Sequence, residues 1–126
     1  MSAQPASVIV VDDDASVCQA THRLLSAAGF YTRLYYSAEA LLDSDTFDDK
    51  TCLVLDINLP GLSGFELVEH LENRGSQNFP VVFITGVDRP AYTDQVRRRK
   101  ALAYVLKPFS AADLISAIKG VLTSET

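Results

Sequence analysis

The sequence predicts an α/β domain built on an open parallel sheet with helices on both faces, and three observations carry that prediction. Five short apolar runs rich in β-branched residues alternate with five stretches of helical periodicity. The first, third and fourth runs are apolar almost without interruption, as strands buried on both faces of a parallel sheet should be. Charged and polar residues gather just after these runs, where the ligand-binding edge of such a sheet lies.

The first strand is expected at "SVIVV" (7–11). A helix from Ala15 to Ala28 follows, with Val17, Leu24, Leu25 and Ala28 on one face and Gly29 as its stop. "YTRLYY" (31–36) is more mixed and suits a strand nearer the sheet edge. Ser37 can cap a short helix through "AEALLDS". The third strand is "CLVLD" (52–56), and "FELVEHLENRG" then sets Phe65, Val68 and Leu71 at helical spacing, ending at Gly75. "VVFIT" (81–85) is the fourth strand, after which Pro90 opens "PAYTDQVRRRK" where a helix tolerates proline. The composition of "GVDRPAYTDQ" leaves open a late start or mobility of that helix. "AYVLK" (103–107) is the fifth strand, and a last helix from Ser110 carries Leu114, Ile115, Ile118 and Leu122 on its apolar side. Right-handed crossovers leave few topologies for this order.

A length of 126 residues with 48% apolar content fits one domain with its own core and excludes disorder as the main state. The net charge of −5 argues against direct nucleic-acid binding by this segment. No apolar run has the length of a membrane span, and "MSAQPAS" lacks the plan of a secretory signal, so no membrane partner and a cytoplasmic location are expected. Cys18 and Cys52 sit far apart among apolar neighbours and read as reduced packing residues.

The strand ends carry the chemistry. Asp12, Asp13 and Asp14 follow the first strand, Asp56 and Asn58 stand at the third, Thr85 at the fourth and Lys107 at the fifth. Carboxylates meeting in a dry site need a cation to stay ionised. Oxygen donors without His or Cys favour a hard ion such as Mg²⁺ over zinc. Lys107 adds a point charge and Thr85 a hydroxyl, which completes the apparatus of phosphoryl transfer, with an Asp able to act as acceptor. Asp14 reads as the cap of the first helix. "RRRK" (97–100) reads as a solvated helix end, His22 and His70 as surface or boundary residues, and Glu66, Glu69 and Glu72 as the wet side of the third helix.

"VIVVDDD", "LVLDINLPGLSGFEL", "VVFITG" and "AYVLKPF", in that order and spacing, resemble the receiver domain of two-component response regulators. The resemblance covers the chain from Val8 to Leu122 and implies a flavodoxin-like, doubly wound sheet of strand order 2-1-3-4-5. It implies a receiver over 7–123, a tail at 1–6, and a tail or start of linker at 124–126. It implies that Asp56 accepts a phosphoryl group from a sensor histidine kinase or a phosphotransfer protein. By the same resemblance Mg²⁺, or Mn²⁺ in its place, is held by Asp13, Asp56 and the backbone carbonyl of Asn58, with Asp12 acting through water. Thr85 then follows the phosphoryl group, Lys107 pairs with it, and Tyr104 is the aromatic that turns inward as Thr85 moves. The Lys107–Pro108 bond is expected to be cis, and the fourth helix, fifth strand and fifth helix form the face for a homodimer or other partner. Lys100 stands where many receivers have glycine, which sets the usual left-handed end of the fourth helix in doubt.

Two other classes compete. A haloacid-dehalogenase-like phosphatase also uses a strand-end aspartate, but it needs a second Asp where this chain has Asn58. A flavodoxin-like cofactor binder needs a donor-rich loop after the first strand, which three aspartates would spoil. The output stays open between a stand-alone receiver, a receiver attached to a sensor kinase and the N-terminal part of a DNA-binding transcription regulator. "PVVFITG" leans toward the last.

Overall fold

Strands and helices alternate throughout the computed structural model, which describes residues 6–44, 50–74, 79–97 and 102–123. They run β1 (Ser7–Val11), α1 (Ala15–Ala27), β2 (Tyr31–Tyr35), α2 (Ala38–Leu42), β3 (Cys52–Asp56), α3 (Gly64–Asn73), β4 (Val81–Thr85), α4 (Pro90–Arg97), β5 (Leu102–Leu106) and α5 (Ala111–Thr123). All strand pairs are parallel, and the order across the sheet is β2-β1-β3-β4-β5. This is the doubly wound order that the resemblance implies.

Strand pleating explains the unbroken apolar runs, because successive residues face opposite sides and both sides are covered. Val8, Val10, Cys52, Val54, Val82 and Ile84 pack with Cys18, Leu25, Leu114, Ile118 and Val121 of α1 and α5. The alternate residues Ile9, Val11, Leu53, Leu55, Val81 and Phe83 pack with Leu41, Phe65, Leu67, Val68, Leu71 and Val96 of α2, α3 and α4. Each such side chain removed from water contributes about 1.5–3 kcal/mol. Edge strand β2 is only half covered, in keeping with its mixed sequence.

Several boundaries differ from the sequence expectation. β2 stops at Tyr35, and β5 spans Leu102–Leu106, so Lys107 follows its strand instead of ending it. α1 ends at Ala27, and Ala28 is its exposed cap residue, not part of the packed face. The cause is local: Gly29, at φ 95°, donates to Ser26 O, and Phe30 N donates to Leu25 O, closing the helix one residue early. Val121 joins Leu114 and Ile118 in the core while Ile115 and Leu122 are half-buried. α4 begins at Pro90 itself, so the late start does not occur. Gly75, Lys100, the 98–100 part of "RRRK" and the expected tails apart from Ala6 lie outside the described residues. Cys18 and Cys52 are buried free thiols, pushed up to about 11 and about 12 by desolvation.

The capping residues are those a helix start requires. Asp14 accepts from Ser16 N and Val17 N, and Ser37 accepts from Ala40 N. Ser63 and Glu66 form a reciprocal capping box on α3. Gly64, the first residue of α3, lies against the end of β3, and a Cβ there would stand 2.6 Å from the Asp56 carbonyl oxygen and 3.2 Å from Ile57 Cα. Backbone cannot yield as a flexible side chain can. Gly64→Ala is therefore expected to lower stability by about 1–3 kcal/mol, read as a lower urea midpoint at unchanged m-value.

Candidate functional site

Register places the polar residues before any side chain is considered. Val11 pairs with Leu55, so the next residues of β1 and β3, Asp12 and Asp56, emerge side by side. Asp56 is level with Ile84, one residue short of Thr85, and Thr85 pairs with Leu106, one short of Lys107. Lys107 N donates to Thr85 O at 2.8 Å, and Asp12 N donates to Tyr35 O at 3.2 Å, extending the ladders into the loops. The Lys107–Pro108 bond is cis.

At this edge Lys107 Nζ lies 2.7 Å from Asp12 Oδ2 and 3.0 Å from Asp56 Oδ2. The Asp56 contact is a hydrogen bond, whereas the approach to Asp12 Oδ2 is an ionic contact without aligned hydrogen-bond geometry. The other carboxylate oxygens accept locally: Asp12 Oδ1 from Asp14 N, and Asp56 Oδ1 from Asn58 N, each at 2.9 Å. Asp12 is fully buried, Asp56 5% exposed, and Asp13 exposed. Oxygens of Asp12, Asp13 and Asp56 lie within 4.8 Å of one another, an all-oxygen donor set suited to a hard divalent cation.

Thr85 is buried, and its Oγ1 accepts from Asn58 Nδ2 at 2.9 Å and from Val87 N at 3.2 Å. Asn58 Oδ1 accepts in turn from the Tyr92 hydroxyl at 2.9 Å. Tyr104 is half-buried, with its hydroxyl 3.3 Å from both Val87 O and Asp88 Oδ1. Asp14 serves as a helix cap and is absent from the acidic cluster. The Asn58 amide and the Tyr92 hydroxyl were missed by sequence reasoning. No spacing signal marks them, since the bond joins residues 34 apart in sequence.

The sequence model of the response regulator receiver domain matches residues 8–119. The chain belongs to this family. It is 33% identical over 115 residues to the transcriptional regulatory protein FixJ of Azorhizobium caulinodans, across 91% of this chain and 54% of that protein. It is 34% identical over 113 residues to nodulation protein W of Bradyrhizobium diazoefficiens, across 90% and 49%. The chain thus spans about half the length of these curated relatives. Among solved structures, FixJ-N aligns with a TM-score of 0.81 at 27% identity over 98% of each chain. Response regulator StyR aligns with a TM-score of 0.83 at 37% identity over 95% of this chain and 60% of that one. As a receiver domain, the protein is a phosphorylatable module of two-component signal transduction. A haloacid-dehalogenase-like phosphatase finds no support here. Among the described residues no helix is long and apolar enough to cross a membrane.

The charges of this receiver site are unevenly balanced. Burial works against the Lys107 ammonium, but close pairing with Asp12 and Asp56 outweighs it and raises its pKa above the ordinary 10.5. One ammonium serves two buried carboxylates. Burial pushes the Asp12 carboxyl above 3.8, against the pull of Lys107 and the Asp14 amide, and the Asp56 charge adds to the rise. The Lys107 contribution to stability is complete below 10.5 and is lost as pH rises through its higher folded value. Lys107→Met is expected to cost about 1–3 kcal/mol at pH 7, by leaving buried oxygens without their cation. The variant's folded state then holds a proton on Asp12 more tightly than the unfolded chain does. Its deficit should therefore shrink as pH falls from 7 toward the ordinary carboxylate range, which urea unfolding at pH 5 and pH 7 would reveal.

Proposed function

We propose that Asp56 is the phosphoacceptor of this receiver, that Asp13 is its principal partner in holding Mg²⁺, and that a phosphohistidine of a sensor kinase or phosphotransfer protein is the donor. The observation that carries this reading is the single ammonium of Lys107 drawn onto both Asp12 and Asp56 at adjoining strand ends. In the transfer, an Asp56 carboxylate oxygen bonds to phosphorus as the phosphorus–nitrogen bond to the donor imidazole breaks, and the imidazole nitrogen keeps the electron pair. Lys107 is placed to move its charge from the free carboxylate to the phosphoryl oxygens as they arrive. Both acceptor positions of Thr85 Oγ1 are filled, so its proton is what it has left to give a phosphoryl oxygen.

Asp13 and Asp56, with the Asn58 carbonyl, would hold Mg²⁺ or Mn²⁺, and Asp12 would act through water. Asp12 is fully buried, whereas Asp13 is exposed, which supports that division. When bound, the ion supplies charge neutralisation for the carboxylates and the incoming phosphoryl group. Tyr104 would leave Val87 and Asp88 and turn inward as Thr85 moves. The face of α4, β5 and α5 would then meet a second copy or another partner.

The receiver spans 7–123 in this reading and works in the cytoplasm. It assists its own phosphorylation and dephosphorylation without being a turnover enzyme. Its relatives named as transcription regulators are about twice its length, which favours the N-terminal part of a DNA-binding regulator over a stand-alone receiver.

Incubation with Mg²⁺ and acetyl phosphate is expected to add one phosphoryl mass, seen by intact-protein mass spectrometry, and Asp56→Asn should lose it. Asp13→Ala should lower Mg²⁺-dependent labelling at least tenfold while leaving metal-free stability equal or higher, since it removes one of three crowded carboxylates. An adduct that persists in Asp56→Asn would move the acceptor elsewhere.

A further inference from the structure

The chain of hydrogen bonds from Tyr92 through Asn58 to Thr85 joins α4 to the strand ends by side chains alone. Tyr92 Oη donates to Asn58 Oδ1 and Asn58 Nδ2 donates to Thr85 Oγ1, each at 2.9 Å. Asn58 is anchored at its other end, where its backbone N–H donates to Asp56 Oδ1. The Tyr92 ring is itself fixed, 5.8 Å from the Phe65 ring centroid and beneath the Arg89 guanidinium at 5.9 Å. The hydroxyl therefore approaches Asn58 from a seated ring, and it holds an exposed amide that would otherwise rotate in solvent.

We infer that Tyr92 is a positioning residue, a latch that ties α4 to Thr85 through Asn58 in the unphosphorylated domain and is released when Thr85 turns to a phosphoryl group. This rests on the phosphorylation of Asp56 proposed above. Thr85 cannot leave its present seat without stretching the Asn58 bond, and Asn58 cannot follow it freely while Tyr92 and the Asp56 turn hold both its ends. The latch favours the resting arrangement, and its loss on phosphorylation transmits the event to α4 by a route separate from Tyr104.

Tyr92→Phe keeps the ring on Phe65 and removes only the hydroxyl, so it separates latch from packing. In metal-free, unphosphorylated protein, amide hydrogen exchange in the 92–97 part of α4 is expected to quicken about two- to tenfold in Tyr92→Phe, the range one neutral hydrogen bond commands. Asn58→Ala should quicken the same amides, and adding Tyr92→Phe to Asn58→Ala should do nothing more. With Mg²⁺ and acetyl phosphate, wild-type α4 should quicken on phosphorylation, whereas the Tyr92→Phe helix, already released, should change little. The variant should also reach half-maximal phosphorylation at about two- to tenfold less acetyl phosphate. Wild-type exchange rates in Tyr92→Phe, or an effect of equal size with and without Asn58, would overturn the latch. A missing adduct in wild type would instead overturn the Asp56 reading, and the exchange comparison in unphosphorylated protein would still decide the latch.

Discussion

Parallel pairing of β1 with β3 delivers Asp12 and Asp56 to the same edge of the sheet, and one ammonium from the far strand holds them there. The arrangement constrains much of the chain around it. Neighbouring strands lie about 4.8 Å apart, so Asp56 stands roughly 10 Å from β5 and Asp12 further still. Among the cations, lysine combines the reach to cross that gap with a compact charge that two carboxylates from different strands can share. A planar guanidinium would favour one carboxylate in a two-pronged pair. The Lys107 backbone must also start from the right height, which its bond to Thr85 O secures. The rest of the sheet can be viewed as the scaffold that keeps these three residues in register.

Much of this was legible in the sequence, for a physical reason. A strand covered on both faces must be apolar at every position, so the three central strands announce themselves and so do the polar residues at which they stop. Asp12, Asp56, Thr85 and Lys107 could be selected because each interrupts or follows such a run. The wiring among them was not legible. Asn58 looked like a backbone donor to a metal, and nothing in its neighbourhood told that its side chain bridges Thr85 and Tyr92. Tyr92 belongs to a mostly polar helix in which Val96 is the buried residue, and periodicity reports which face is wet, not which hydroxyl finds a partner. Glu66 shows a signal present but passed over. "SGFE" (63–66) is a capping box by its spacing, a role for Glu66 beyond the wet side it shares with Glu69 and Glu72. It is exposed as expected, and it also closes the helix end that places Gly64 against Asp56.

Three consecutive aspartates repel one another, and the structure disperses them. The backbone turns directly after Val11, with Asp14 N donating back to Asp12 Oδ1, so successive side chains leave in different directions. Asp12 is buried under Lys107, Asp13 reaches solvent, and Asp14 caps α1, where the Ser16 hydroxyl, followed by the Val17 and Ser16 peptide N–H groups, holds its carboxyl below the usual range. What repulsion remains is among Asp12, Asp13 and Asp56. Three carboxylates against the one ammonium of Lys107 leave two negative charges within a few ångströms. Taking a proton at Asp12 would relieve one of them, which is the direction in which its pKa moves. A divalent cation would balance both without protonating any of the three carboxylates. Burial is the main cause that raises Asp12, with the Asp56 charge adding to it, and the crowding of charge suits a doubly charged partner better than a proton because it leaves Asp56 ionised, the form the proposed nucleophile requires.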